Sequence, residues 1–212
     1  MIGLGTAGLQ GDKCEQATKW ALEIGYRHID SAWAYRNQPA IATAIKQTGI
    51  QREDLFITSK VWRDYLSYEK ALRQCNEILD QLQMDYIDLL LTHWPCNANV
   101  RSAKGPENVV PLKETLAAFN EIHRVGKVKH IGVSNYGIDL MKQAQEISAV
   151  PITVNQVHFH LRDRKRITNP GRFLFKIKRC DDSILSTCIW LVSSRRWYSH
   201  TSNPDCNCTK LW

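Results

Sequence analysis

Arg27-His28-Ile29-Asp30-Ser31-Ala32-Trp33-Ala34-Tyr35 is the stretch of sequence that decides the fold. A short run centred on Ile29 ends on the acid Asp30, and Tyr35 follows five residues later. A run of this kind, bounded by polar residues, is typical of a β-strand. The stretch therefore predicts a strand that leads into a turn carrying two polar side chains.

The same pattern recurs along the chain. Further runs are apolar and rich in β-branched residues, and each is followed by a polar or titratable group. They are 55–59 before Lys60, 86–92 before His93, 129–133 before Ser134 and Asn135, and 153–154 before Asn155 and Gln156. Carboxyl ends of strands meet on one face only in a parallel sheet, and in a parallel barrel that face holds catalytic groups. The side chains expected to share one site are Asp30, Tyr35, Lys60 and His93.

The segments between these runs have helical periodicity. The predicted helices are 14–24, 40–46, one from Ser67, one from Pro111 to Gly126, and 138–147, with a first strand near residues 2–5. In the first helix, a stripe of Ala17, Trp20, Ala21 and Ile24 is expected to pack on the sheet, and Gly25 to end the helix.

Strands that alternate with helices predict βαβ units and a parallel sheet. The chain contains neither G-x-G-x-x-G nor a P-loop, which favours a barrel over a dinucleotide-binding fold. We expect an α/β protein of the (β/α)8 TIM-barrel class. The barrel is expected to be incomplete, with about six of eight βα units recognisable by residue 160.

Composition excludes several classes of protein. A hydrophobic content of 43% is that of a soluble globular domain. No apolar run reaches the ~18 residues that a membrane span needs, and the N-terminus does not resemble a signal peptide. Seven cysteines, an odd number without framework spacing, indicate free thiols in a reducing compartment. We therefore expect a cytoplasmic protein.

The charge divides the chain near residue 160. Basic and acidic residues balance over 1–160, so the net charge of +7 belongs to residues 161–212. We expect two parts, a barrel portion over 1–160 and a basic, atypical tail over 161–212 that does not complete the barrel. The tail shows no nucleic-acid-binding motif. Its cysteines match no common zinc spacing, so neither nucleic acid nor a metal is expected as a ligand.

Five motifs occur in a characteristic order, each at the end of a predicted strand. They are 25–32 with Tyr35 and Asn37, 57–62, 84–95, 126–135 and 155–157. Residues 1 to about 160 thereby resemble the aldo-keto reductase family. The resemblance implies a barrel enzyme that reduces aldehydes and ketones to alcohols with NADPH, less often NADH. It also implies a small-molecule carbonyl substrate, and we expect a monomer that binds no membrane.

The resemblance assigns a role to each site residue. Tyr35 is expected to be the general acid, with Lys60 lowering the phenol's pKa from ~10 and Asp30 holding Lys60. His93 is expected to orient the carbonyl oxygen. The residues expected to bind the nicotinamide carboxamide are Ser134, Asn135 and Gln156, and those expected to line an apolar substrate cleft are Trp33, Trp62 and Trp94.

The sequence also departs from the family pattern. Gln38 and His158 stand where the family usually has Glu, and the N-terminal hairpin is absent. Beyond about residue 160 the pattern is lost, as truncation or a changed reading frame would produce. The alternative is therefore a non-catalytic protein: a barrel fragment without cofactor binding, or a binding subunit like some potassium-channel auxiliary subunits.

Overall fold

A computed structural model describes residues 2–95 and 110–157 of the 212-residue chain. In this part of the chain, strands and helices alternate. The strands are β1 (Gly3–Gly5), β2 (His28–Asp30), β3 (Phe56–Val61), β4 (Ile87–Thr92), β5 (Val128–Ser134) and β6 (Ile152–Gln156). The helices are α1 (Gly11–Glu23), α2 (Gln38–Thr48), α3 (Tyr68–Leu82), α4 (Leu112–Arg124) and α5 (Ile138–Ile147).

The described strands form one parallel sheet in sequence order, β1-β2-β3-β4-β5-β6. A helix connects each described strand to the next, so every connection is a βαβ crossover. The prediction of an incomplete (β/α)8 barrel is confirmed: the described residues contain six parallel strands, where a closed barrel has eight. This order places the carboxyl ends of all six strands on one face.

Both faces of the sheet are covered in its central strands. Every residue of β3 and of β4 is buried. Leu90 belongs to the large cluster that the helices complete, whereas its neighbours Leu89 and Leu91 join Phe56 and Val154 in a separate cluster. Because side chains alternate across a strand, the second cluster lies on the face of the sheet opposite the large cluster.

The sheet curls strongly. In a flat sheet, β2 and β6 would lie about 19 Å apart, four strand spacings. Instead Gln156 at the end of β6 donates a hydrogen bond from Nε2 to Asp30 Oδ1 at the end of β2, over 3.1 Å. The carboxyl ends of these strands therefore face each other across the interior.

The predicted buried stripe of α1 is wrong at Trp20 and Ile24 and right at Ala21. The residues that α1 buries are Cys14, Thr18, Ala21 and Leu22, while Trp20 and Ile24 are 60% and 76% exposed. Both stripes have helical spacing, and the contact of α1 with α2 selects the one that contains Cys14 and Thr18. Gly25 does end the helix, with a φ of 102° that favours glycine.

Within residues 2–95 and 110–157, no helix has the length and apolar character needed to cross a bilayer. The same residues contain no group of three or more His, Cys, Asp or Glu side chains placed to hold a metal ion. Cys14 and Cys75 are buried free thiols. The expectations for the tail and for the remaining cysteines concern residues outside the described ranges.

Candidate active site

A buried ion pair forms the base of the site. Lys60 is 1% exposed and Asp30 4% exposed. The Lys60 Nζ donates to Asp30 Oδ1 and Oδ2 at 2.9 and 3.0 Å, and to the Ser31 backbone oxygen at 2.7 Å. Removing two charges from water is costly, and close pairing with further hydrogen bonds offsets that cost. Lys60 therefore points into the interior, on the same side as Asp30.

The strand end that carries Asp30 is held from both sides. The Thr6 Oγ1 donates to the Asp30 backbone oxygen at 3.0 Å. Asn37 Nδ2 donates to the backbone oxygens of Thr6 and Leu9, and its Oδ1 accepts from Ser31 Oγ. These bonds fix the turn between Asp30 and α2, which is the segment that carries Tyr35.

Tyr35 lies at the end of a single 3₁₀ turn, and Gln10 Nε2 donates to its backbone oxygen at 2.6 Å. The Lys60 Nζ lies 5.1 Å from the centre of the Tyr35 ring. Burial raises the pKa of Tyr35, whereas the charge and hydrogen bond of Lys60 lower it, and Asp30 raises it. The ammonium acts in the expected direction, but burial outweighs it, so the phenol is protonated at neutral pH.

His93, directly after β4, packs its ring between two aromatic side chains. Its ring centre lies 5.5 Å from that of Tyr35 and 5.2 Å from that of Trp62, both edge-on. Burial, with the nearby Lys60 charge, lowers the pKa of His93 to about 3, against the opposing effect of Asp30. The imidazole is therefore neutral at pH 7, with one N–H donor. Its Nδ1 is buried without a hydrogen-bond partner in the described part of the chain.

The polar residues at the ends of β5 and β6 form one connected group. Ser134 Oγ and Asn135 N both donate to the Gln156 backbone oxygen, at 2.8 and 2.9 Å. Asn135 Nδ2 donates to the His93 backbone oxygen at 2.9 Å, from a left-handed backbone with φ of 64° that Asn tolerates. The group is thus bonded to His93 on one side and to Asp30 on the other.

The three tryptophans lie in different surroundings. Trp62 contacts His93 and belongs to the site, and Gln74 Oε1 accepts from its backbone N–H at 2.6 Å. Trp33 instead packs on Tyr65 and donates from Nε1 to Glu77 of α3 at 3.0 Å. Trp94 is 37% exposed. The structure therefore groups Trp62 with Tyr35 and His93, and places the described contacts of Trp33 on the α3 side.

Comparison with known proteins identifies the architecture that carries this site. The model of the aldo/keto reductase family matches residues 1–171. The chain belongs to the aldo/keto reductase family. The match extends past residue 160, near which the motifs of the family pattern end.

Curated relatives include the methylglyoxal reductase DkgB of Escherichia coli O157:H7, which is 38% identical over 167 residues, 77% of this chain and 59% of the relative. Another is the glyoxal reductase of Bacillus subtilis, 37% identical over 162 residues, 76% of this chain and 54% of the relative. The chain thus spans a little over half the length of these reductases.

Solved structures give the same result. The thermostable aldo-keto reductase Tm1743 superimposes with a TM-score of 0.73 at 36% identity, over 83% of this chain and 64% of that one. The aldose reductase of Giardia lamblia superimposes with a TM-score of 0.68 at 36% identity, over 75% of this chain and 57% of that one.

Several site contacts had no signal in the sequence. Gln10 and Gln74 hold the backbones of Tyr35 and Trp62 from distant segments. Ser31 acts through its backbone oxygen, which any residue at that position would supply. Ser31 and Asn37 do belong to the first of the five motifs, and the spacing of Asn37 from Tyr35 was the available signal for its side chain.

Proposed function

We propose that this protein reduces aldehydes or ketones to alcohols with NADPH, and that Tyr35 donates the proton. One observation carries the proposal. A protonated phenol, a buried Lys60–Asp30 ion pair and a neutral imidazole converge at the carboxyl ends of β2, β3 and β4. This set supplies a proton donor, a cation to stabilise its conjugate base, and a second N–H donor for a carbonyl oxygen.

In the proposed reaction, the substrate oxygen accepts hydrogen bonds from the Tyr35 hydroxyl and from an N–H of His93. When bound, the cofactor supplies the hydride to the carbonyl carbon. As negative charge develops on the oxygen, the phenol proton moves to it, and Lys60 stabilises the phenolate that remains. Asp30 keeps the ammonium in place. General acid catalysis of this kind contributes about 10²–10⁴-fold.

The residues at the ends of β5 and β6 fit a carboxamide. Ser134, Asn135 and Gln156 bring hydroxyl and amide groups, both donors and acceptors, to the position between His93 and Asp30. They would hold the nicotinamide carboxamide beside Tyr35. NADPH is proposed because related structures were solved with NADP and with NADPH, namely the Bombyx mori aldo-keto reductase AKR2E4 and the aldo-keto reductase AKR2E5.

The proposed substrate is a small carbonyl compound. The aromatic rings of Tyr35, His93 and Trp62 form an apolar surface against which a short aldehyde would pack. Names of relatives point the same way, since they are methylglyoxal and glyoxal reductases. We further propose that residues 1–160 form the catalytic portion, in a cytoplasmic monomer.

The test is Tyr35→Phe in the full chain, assayed on methylglyoxal and on an aromatic aldehyde. Loss of the phenol proton should lower kcat by about 10²-fold or more, while NADPH affinity, measured by fluorescence titration, stays nearly constant. Tyr65→Phe is the matched control, because Tyr65 packs on Trp33 away from the site, and it should retain activity.

Two outcomes would oppose the proposal. A Tyr35→Phe variant that keeps most of its kcat would remove Tyr35 from the role of acid. An unaltered chain that binds NADPH but turns over no carbonyl would favour the alternative, a non-catalytic binding subunit of the same fold.

A further inference from the structure

Gln156 makes contacts with both halves of the site. Its backbone oxygen accepts from Ser134 Oγ and from Asn135 N. Its side-chain Nε2 donates to Asp30 Oδ1 at 3.1 Å, across the interior from β6 to β2. Gln156 is 4% exposed, so water does not compete freely for its amide.

The chemistry of the two groups fixes the direction of this bond. An ionised carboxylate only accepts hydrogen bonds, whereas a glutamine amide has a donor end and an acceptor end. Asp30, paired with Lys60, therefore requires the NH₂ end of Gln156. The Oε1 end is left on the side away from Asp30. A carboxylate in place of this amide would place an acceptor oxygen against the acceptor oxygen of Asp30, and neither group would carry a proton to donate.

We infer that Gln156 is a positioning residue for the Asp30–Lys60 pair, joining the proton-donating side of the site to β6. This role is additional to contact with a carboxamide. The relevance of Gln156 to catalysis rests on the proposed function. Lys60 and Gln156 approach Asp30 from β3 and β6, and Oδ1 accepts from both. Together they leave the carboxylate little freedom to rotate.

The first test exchanges the two groups. Gln156→Glu keeps the shape of the side chain but faces Asp30 with a second carboxylate, and Asp30→Asn leaves the Lys60 ammonium without its charged partner. Each single variant should lower the midpoint of denaturant unfolding. The double variant restores one carboxylate and one amide in reversed positions, so it should be more stable than the sum of the two losses predicts. Losses that simply add would overturn the inference.

The second measurement follows the new carboxyl of Gln156→Glu by ¹³C NMR, without cofactor or substrate. Within residues 2–95 and 110–157, the charged groups bonded to it directly or through one partner are Asp30 and Lys60, since Ser134 and Asn135 are uncharged and His93 is neutral. Asp30 should hold a proton on the carboxyl pair and raise the pKa of the new group by about one unit or more. In the double variant that rise should disappear. A rise that persists would mean burial alone causes it and would overturn the inference.

If Gln156→Glu does not fold, a measurement on chains that keep Gln156 still decides the question. The Gln156 side-chain NH₂ should exchange with solvent far more slowly than that of the exposed Gln47, and Asp30→Asn should remove much of the difference. If the Gln156 NH₂ exchanged at the same rate with Asp30 as with Asn at position 30, the inference would be contradicted. None of these readouts depends on turnover, so failure of the proposed reduction would be seen separately.

Discussion

At the scale of single residues, the site depends on the buried ammonium of Lys60, whose burial requires the carboxylate of Asp30 as its partner. Lys60 is among the largest fully buried side chains of the described core. Its ammonium has Asp30 and the Ser31 oxygen as acceptors. A buried pair contributes little net stability compared with apolar residues, but breaking it by removing one partner costs about 3–5 kcal/mol.

We therefore expect Lys60→Met to lower the free energy of unfolding by roughly 3–5 kcal/mol, measured by urea denaturation. Asp30→Asn in the same chain should recover part of that loss, because it removes the unpaired carboxylate. Lys70→Met on the exposed face of α3 is the control and should change stability by less than about 0.5 kcal/mol. A Lys60→Met variant as stable as this control would mean that the ammonium is solvated.

At the scale of elements, the close contact of β5 with its neighbours depends on one glycine. A Cβ on Gly132 would lie 2.6 Å from Leu91 Cδ2 and 2.7 Å from the Val154 backbone oxygen. The register between β5 and β6 also shifts between Ile131 and Val133. Gly132 thus lets the end of β5 pass close to β6, where Ser134 reaches the Gln156 oxygen.

Gly132→Ala should therefore destabilise the protein by about 1–3 kcal/mol, because the Val154 carbonyl belongs to the backbone and cannot rotate away. Gly5→Ala in β1 is the matched control, since a Cβ there meets nothing within 4 Å. Thermal unfolding of both variants gives the comparison. Equal midpoints would show that β5 and β6 lie further apart than described.

Strand ends were predictable from sequence, while the buried face of α1 was not. The run before Lys60 and the run before His93 were placed within two residues, because β-branched residues and the polar group that follows mark a buried parallel strand locally. In α1, the stripes through Trp20 and through Cys14 are both helical in spacing. Only the neighbouring helix decides between them, and a local pattern carries no information about that neighbour.

At the scale of the whole molecule, the two sides of the site meet because the sheet curls. The order of motifs predicted that Asp30, Lys60 and His93 share a face, since parallel strands place their carboxyl ends together. It could not predict that Gln156 reaches Asp30, because that contact joins residues 126 positions apart and depends on the curvature of all six described strands. The surroundings of Trp33 were also out of reach, because its contacts with Tyr65 and Glu77 join distant segments of the chain.

The interior of this curled sheet also predicts how the molecule responds to acid. Burial lowers the pKa of His28 to about 4 and that of His93 to about 3. The unfolded chain has histidines with pKa near 6.5. Below that value the unfolded state binds protons that the folded state does not, so stability falls as pH decreases from about 6.5 toward 3–4.

Two such histidines lower the free energy of unfolding by up to roughly 4 kcal/mol between pH 7 and pH 5. Urea midpoints at the two pH values measure the loss. His28→Asn should reduce the acid sensitivity by about half, because Asn does not titrate and its amide can still bond to Thr58 Oγ1, the present partner of His28 Nε2 at 2.9 Å. Equal stability at pH 5 and pH 7 would mean that the interior histidines accept protons in the folded state. That result would contradict the proposal that His93 acts as a neutral imidazole donor.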